Sequence, residues 1–349
     1  MKKCIAILLA LSMLFALAAC SGEPAATDDE VGTTETASAE AGNENLTEIT
    51  FALDWTPNTN HTGLYVAKAL GYFEDAGLDV DIVFVDGSSS AQLCAAGTAQ
   101  FAIEAQDTMA AALTGDEPLG ITAVAAVLQH NTSGIISRAG EGLDTPLGLV
   151  GKTYATWDSP IELAMLRSLV EQAGGDFDQV NLIPNVFVDE PGALAAGDTD
   201  AIWVFYGWGC INAEVQGFDF DYFAFSDLDP VFDYYTPVII GNNDYMQANP
   251  EVTRAFLAAA KQGYEYAAQH PEEAAQILID SDNTGSLQGS EELVRRSQEW
   301  ISTQYIDDAA SWGVFDAERW DAFYAWLWEN ELIETELPAG TGFTNEYLS

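Results

Sequence analysis

The chain has 349 residues, 55 of them Asp or Glu and only 11 Lys or Arg, for a formal net charge of −44. A field of that sign repels nucleic acid and anionic lipid head groups, which makes both poor partners. The three histidines lie far apart with no HExxH-like spacing, and the cysteines show no CxxC pattern, so neither a metal site nor a disulfide framework is expected.

Lys2 and Lys3 form a basic tip ahead of an apolar run over 5–19, too short to serve as a membrane span, and residues 1–19 read as a signal peptide. The run closes in LAAC, which resembles a bacterial lipobox and makes Cys20 the expected lipidation site. Residues 20–47 hold almost no apolar bulk and many acidic and hydroxyl side chains, so they cannot repay the entropy of ordering and are expected to be a disordered tether. The domain that follows is then lipid-anchored on the extracytoplasmic face of the cell membrane. Cys94 and Cys210 remain, as buried thiols or, alternatively, as a bridge to each other.

Roughly 300 residues follow the tether, enough for two lobes with sizeable cores. EITFALDW alternates as a strand does, TGLYVAKALGYFEDAG has helical spacing up to Gly77, and LDVDIVFVD is again a strand. SSSAQLCAAG reads as a short helix entered through hydroxyl caps, AQFAIEA as a strand, TMAAALTG as a helix and LGITAVAAVLQ as a buried strand. Alternation of this kind predicts an α/β lobe with a mostly parallel sheet, ending near His130. Beyond NTSGIISRAG, GKTYATW is a strand and SPIELAMLRSLVEQAGG a helix with Pro160 in its first turn. NLIPN, AIWVFYGW and YFAFSD supply further strands, with short helices around EPGALAAGDTD and INAEVQG. DYYTPVIIGNNDYM reads as one long strand leading out of this second lobe. From Asn249 onward only amphipathic helices follow, with Asn249, Ser290 and Asp316 as caps and Trp320, Phe323, Tyr324 and Leu327 as a core stripe. A chain that leaves one lobe, builds another and returns makes two crossover segments, hence a hinge and a cleft. The expected division is 48–132 and 237–349 for lobe 1, with the C-terminal helical region, and 133–236 for lobe 2.

At the carboxyl end of the first strand, where parallel sheets present ligands, stands LDWTPNTNH. Trp55 offers a rigid face for a flat ring, Pro57 fixes the backbone, and Asn58 and Asn60 offer donors and acceptors. This run, extended as LDWTPNTNHTGLYVAKALGYFEDAGLDVDIV, closely resembles the start of the NMT1/THI5-like solute-binding proteins, ABC-importer components that capture thiamine-pyrimidine precursors and related heterocycles. The likeness continues in GSSSAQLCAAGTAQFAIEAQDTM, GKTYATWDSPIELAML, AIWVFYGW and GFTNEYLS. It implies a type II periplasmic-binding-protein fold, a small planar heterocyclic ligand such as formylaminopyrimidine, an ABC permease as membrane partner, a monomer, and no cofactor.

The resemblance places Trp55 and Asn58 in the cleft and brings His61 toward it, with a capping role for His61 as the alternative. Gly87, Ser88, Ser89 and Ser90 stand at a helix start, where N–H groups either meet a carbonyl or phosphate or serve an ordinary cap. Across the hinge, Trp157, Tyr206 and Trp208 close strands and would sandwich the ring. Glu162 is a candidate acceptor for a ring amino group, unless it only answers the helix dipole; Asp54 and Tyr235 are further candidates. Two departures stand out. Gly209 and Cys210 occupy the place where many pyrimidine-precursor binders carry an acid, and FDYYTPVII replaces the cysteine-rich run of the fungal pyrimidine synthase, whose histidine His61 nonetheless matches. Within the binding class riboflavin or another nitrogen or sulfonate solute stays open. The rival class is a pyrimidine-synthase-like enzyme, but GxSxG, Walker and GxGxxG motifs are absent and no catalytic residue is assigned.

Overall fold

The structure, a computed structural model, describes residues 46–84 and 87–348. The expected signal peptide, Cys20 and all but the last two residues of the tether lie outside them. Ten strands occur among the described residues: β1 (Thr47–Leu53), β2 (Leu78–Phe84), β3 (Phe101–Glu104), β4 (Ile121–Ala126), β5 (Ser133–Arg138), β6 (Thr153–Thr156), β7 (Asn181–Pro184), β8 (Ala201–Phe205), β9 (Phe220–Ala224) and β10 (Val238–Asn242). They form two five-stranded sheets, in the orders β2-β1-β3-β10-β4 and β7-β6-β8-β5-β9.

Neither sheet is purely parallel. β10 runs antiparallel to β3 and β4, and β5 antiparallel to β8 and β9, because each is the first strand laid down after the chain has crossed from the other sheet. β5 carries Ser133, Gly134 and Ser137, which hide its apolar period. Gly134 is required there: a Cβ would lie 2.1 Å from the Phe223 carbonyl oxygen on β9.

Several elements are shorter than their apolar patterns suggest. TGLYVAKALGYFEDAG breaks into helices Thr62–Ala69 and Tyr72–Asp75, with Gly71 at φ 78° between them. The long strand expected over DYYTPVIIGNNDYM is only β10; the Asn242 side chain accepts from the Tyr245 amide and starts the helix Asn243–Ala248. Pro271 divides the long C-terminal helix into Pro250–Gln269 and Pro271–Ser281, since it lacks the N–H that would continue the ladder. AIWVFYGW leaves the sheet after Phe205 and winds into a π-helical turn, Tyr206–Cys210.

The helix Pro250–Gln269 returns to the first sheet and sets Phe256 flat on Phe101, with centroids 4.2 Å apart, and against Phe73 at 5.4 Å. Burying each such ring stabilises by about 2 kcal/mol. Gly63 and Gly263 let this helix and Thr62–Ala69 touch backbone to backbone: a Cβ on Gly263 would lie 1.9 Å from the Gly63 carbonyl oxygen. Trp320, Phe323, Tyr324 and Leu327 are buried on the helix Ala317–Glu329. The two passages between the sheets, 127–132 and 225–237, are tied together at His130, whose ring meets Asp233 at 2.7 Å and Asp308 at 3.2 Å. The Asp233 hydrogen bond raises the His130 pKa against the effect of burial. Cys94 and Cys210 are buried free thiols. Among the described residues no helix is long and apolar enough to cross a membrane.

Candidate ligand-binding cleft

On the first sheet, β1 and β3 lie side by side in parallel with Phe51 opposite Phe101 and Ala52 opposite Ala102. Two residues further along each chain come Asp54 and Glu104, which therefore share the carboxyl edge of the sheet. Trp55 follows with 67% of its surface exposed, an unusual fraction for a large aromatic. The loop that presents it is tied down by hydrogen bonds. The Asn58 side chain accepts from the Asn60 amide at 3.0 Å and donates to the Thr56 carbonyl at 3.0 Å, and it caps the 3-10 turn Thr59–His61. The hydroxyls of Tyr264 and Tyr305 donate to the carbonyls of Asn60 and Thr59 at 2.8 and 2.7 Å.

Of the two roles expected for His61, the structure shows the capping one, exercised on the 3-10 turn and not on the helix Thr62–Ala69. Its Nδ1 accepts from the Asn58 amide at 3.3 Å, which leaves Nε2 to carry the hydrogen and donate to Asp54 Oδ1 at 2.9 Å. The ring has no exposed surface. It offers a guest nothing directly; it aims Asp54, which is itself exposed.

Glu104 was not singled out in the sequence. Its two oxygens accept from Ser90 Oγ and Thr108 Oγ1, each at 2.5 Å. Burial raises its pKa, the two hydroxyls pull it back, and the charges of Asp54 and Asp107 add to the rise. Burial likewise pushes Asp107 up to about 6, against the opposing amides of Thr108 and Asp107 and the hydroxyl of Tyr234. Gly87, Ser88 and Ser89 are exposed, with Gly87 at φ 72°. Ser89 acts as a plain cap, accepting from the Gln92 amide at 3.3 Å, and Ser90 turns inward to Glu104.

On the second sheet, Trp157 stands just past β6 with 52% of its surface exposed, backed by Trp203 at 6.0 Å. Glu162 lies beneath it but is engaged: it accepts from the Tyr154 hydroxyl at 2.6 Å, the Thr156 hydroxyl at 2.9 Å, and the amides of Trp157 and Ser159 at 3.3 Å each. Only 4% exposed, it fixes the strand-to-helix turn and has no acceptor site left for a ring amino group. Tyr206 sits edge-on to Tyr222 at 5.2 Å and tilted on Trp300 at 5.0 Å, and its hydroxyl donates to Glu214 Oε1 at 3.3 Å. Glu214, ion-paired with Arg296, supplies an acid close to the aromatic segment where Gly209 and Cys210 do not. Tyr206, Tyr222, Trp300, Thr132, Ser226 and Asp227 help line a cavity of about 350 Å³ beside the crossings.

Two expected residues belong elsewhere. Trp208 is partly buried against the core of the first sheet and its helices, because the π-helical turn carries it off the strand. Tyr235 is 1% exposed; its hydroxyl accepts from the Asp316 amide at 2.7 Å and its ring meets Phe315 edge-on, so it belongs to the core.

Two mixed five-stranded sheets joined by two crossings, with exposed tryptophans at carboxyl edges on both, define a type II periplasmic-binding-protein fold. The periplasmic aliphatic sulphonate binding protein SsuA from Escherichia coli has the same fold, with a TM-score of 0.65 at 15% identity over 87% of this chain and 99% of that one. The chain belongs to the NMT1/THI5 like family, whose model matches residues 58–274. It is 31% identical, over 99% of each chain, to the formylaminopyrimidine-binding protein of Halalkalibacterium halodurans. It is also 25% identical to the 4-amino-5-hydroxymethyl-2-methylpyrimidine phosphate synthase THI13 of Saccharomyces cerevisiae, over 67% of this chain and 71% of the synthase.

Proposed function

We propose that this protein is the extracytoplasmic solute-binding component of an ABC importer and that its ligand is a thiamine-pyrimidine precursor of the formylaminopyrimidine type. The observation that carries the reading is the full-length kinship with a formylaminopyrimidine-binding protein, met by exposed indoles at the carboxyl edges of both sheets. In this reading the pyrimidine stacks on Trp55 and Trp157, polar groups around Asn58, Gly87, Ser88 and Tyr206 fix its edges, and closure of the lobes stabilises the occupied form that a permease recognises. The lobes divide at 48–132 with 237–349, and at 133–236. Cys20 carries the lipid, the protein acts as a monomer, and it returns its ligand chemically unchanged.

Titration of tryptophan fluorescence with formylaminopyrimidine tests this. Saturable quenching is expected, with the ligand recovered intact by mass spectrometry, and Trp55→Ala and Trp157→Ala are each expected to weaken binding about threefold to tenfold, as loss of one stacking face implies. Undiminished binding by both variants would remove the stacking geometry. Recovery of a converted product would move the protein to the synthase side of its family.

A further inference from the structure

We propose that His130 is a proton-operated tie at the hinge: with both ring nitrogens protonated it clips the first passage between the sheets to Asp233 and to Asp308, and on giving up one proton it drops Asp308, so that the two sheets swing more readily as pH rises. Asp233 lies on the second passage. Asp308 lies between the helices Glu291–Ile301 and Ala317–Glu329, on a stretch whose Tyr305 and Trp312 belong to the core of the first sheet. Nδ1 is 2.7 Å from Asp233 Oδ2 and Nε2 is 3.2 Å from Asp308 Oδ1, and a carboxylate offers acceptors alone. A neutral imidazole has one N–H and one lone pair, so either tautomer would aim a lone pair at a carboxylate oxygen. The imidazolium has the two donors that this arrangement asks for. Neither acid is placed to lend the missing hydrogen. A proton on Asp233 Oδ2 would face the Arg319 guanidinium 3.8 Å away, and Oδ1 already accepts from the Asn131 amide at 2.9 Å. Asp308 has 69% of its side chain in water, which already solvates it.

The groups around the ring come from every element packed on it. Asp233 and Asp227 stand on the second passage, Asp308 and its neighbour Asp307 on the stretch beside it, Arg319 on the helix Ala317–Glu329, and Tyr206 and Tyr222 across the cavity that His130 helps to line. Burial holds both phenols neutral through the range that matters. The hydrogen bond of Asp233, its charge and the hydrogen bond of Asp308 raise the His130 pKa above the ordinary 6.5, against burial and Arg319. The tie is then complete below pH 6.5 and is lost as pH rises through the folded value. The longer bond goes first: the remaining hydrogen stays on Nδ1 for Asp233, and Nε2 turns its lone pair on Asp308. The two passages stay paired at any pH, through the Val127 amide on the Pro237 carbonyl at 3.0 Å and the Asn131 side chain on the Phe232 carbonyl at 2.8 Å. What weakens is their anchorage to the first sheet and its helices, left to the Gln129 amide, 3.2 Å from the Gln304 carbonyl, and to Arg319 on the Gln129 carbonyl. In the solute-binding reading, on which this consequence rests, a guest exchanges faster at alkaline than at acid pH.

The test needs no ligand, so its failure leaves the solute-binding reading untouched. Imidazole NMR titration of the protein from about pH 5 to about pH 9, with His130→Gln to assign the resonance, is expected to put the His130 midpoint above 6.5. Asp308→Asn, which keeps an acceptor and removes the charge, is expected to bring that midpoint down. Hydrogen exchange over 127–132 and 302–311, corrected for the intrinsic effect of pH on the rate, is expected to lose about fivefold in protection across the midpoint in the wild type and to stay level with pH in both variants. A midpoint at or below 6.5 would overturn the imidazolium. Unchanged protection across the midpoint in the wild type, or the wild-type pH dependence persisting in Asp308→Asn, would overturn the tie even where His130→Gln fails to fold.

Discussion

Asp107 holds its carboxylate in a place that disfavours charge, and the consequence is measurable without any ligand. In the folded protein its carboxyl titrates at about 6 against an ordinary 3.8, with burial the main cause, so the native state holds the proton more tightly than the unfolded chain does. The stability it contributes is complete below pH 3.8 and is lost as pH rises through about 6. Asp107→Asn removes this group from the linkage. The fall in melting temperature between about pH 5 and about pH 8 is expected to be smaller in the variant than in the wild type, and equal falls would contradict the assigned shift. The residues expected at the cleft were legible in the sequence to different degrees. The exposure of Trp55 and Trp157 could be anticipated because an aromatic at the end of a parallel strand has few packing partners there. His61, Glu162 and Tyr235 could not be sorted, since a polar side chain that faces a guest and one whose capacity is filled by its own loop look alike until partners are known. Glu104 was missed for the converse reason: among 55 acidic residues nothing marked it, and its significance came from Ser90 and Thr108 closing on it in space.

Helices in this fold meet through glycine as much as through apolar stripes. The pair Thr62–Ala69 and Pro250–Gln269 is set by Gly63 and Gly263, and a methyl on Gly263 would meet the Gly63 carbonyl oxygen at 1.9 Å and the Ala67 Cβ at 2.9 Å. Alanine favours a helix interior over glycine by about 1 kcal/mol, but overpacking against backbone costs about 1–3 kcal/mol and the helices cannot separate without uncovering Phe256. Gly263→Ala is therefore expected to lower the urea midpoint. Because the opening loop runs directly into Thr62–Ala69, it should also weaken ligand binding; a raised midpoint would mean that the helices separate at little cost. The amphipathic period of these helices was readable, whereas their contact distance was not, because it depends on which glycine faces which. The same limit hid β5, whose serines and glycine answer to β8 and β9 rather than to a local pattern, and lengthened β10, whose apolar approach belongs to the crossing.

For the molecule as a whole, a net charge of −44 sets a self-repulsion that folding must overcome. The ion pairs of the described residues are few, and most involve an exposed or half-exposed partner, so screening sacrifices little by weakening them. Screening the repulsion should dominate. The melting temperature is expected to rise between about 0.05 M and about 0.5 M NaCl, over which the Debye length falls from roughly 14 Å to roughly 4 Å; a flat or falling curve would show that local pairs outweigh the global field. The order of strands, second sheet and returning helices was enough to give the two-lobed architecture, since connectivity is fixed by the sequence of elements and not by their exact ends. What it did not disclose is that the lobes join in a further place. The hydroxyl of Thr59 meets that of Ser297 at 2.7 Å, Ser297 donates on to the carbonyl of Gly207, and Arg296 grips Glu214 alongside. Two bridges leave a swing free; a third set of contacts, made by different segments, opposes it. Any parting of the two lobes must therefore separate Ser297 from the Gly207 carbonyl and Arg296 from Glu214, while the contact of Ser297 with Thr59 stays within the first lobe.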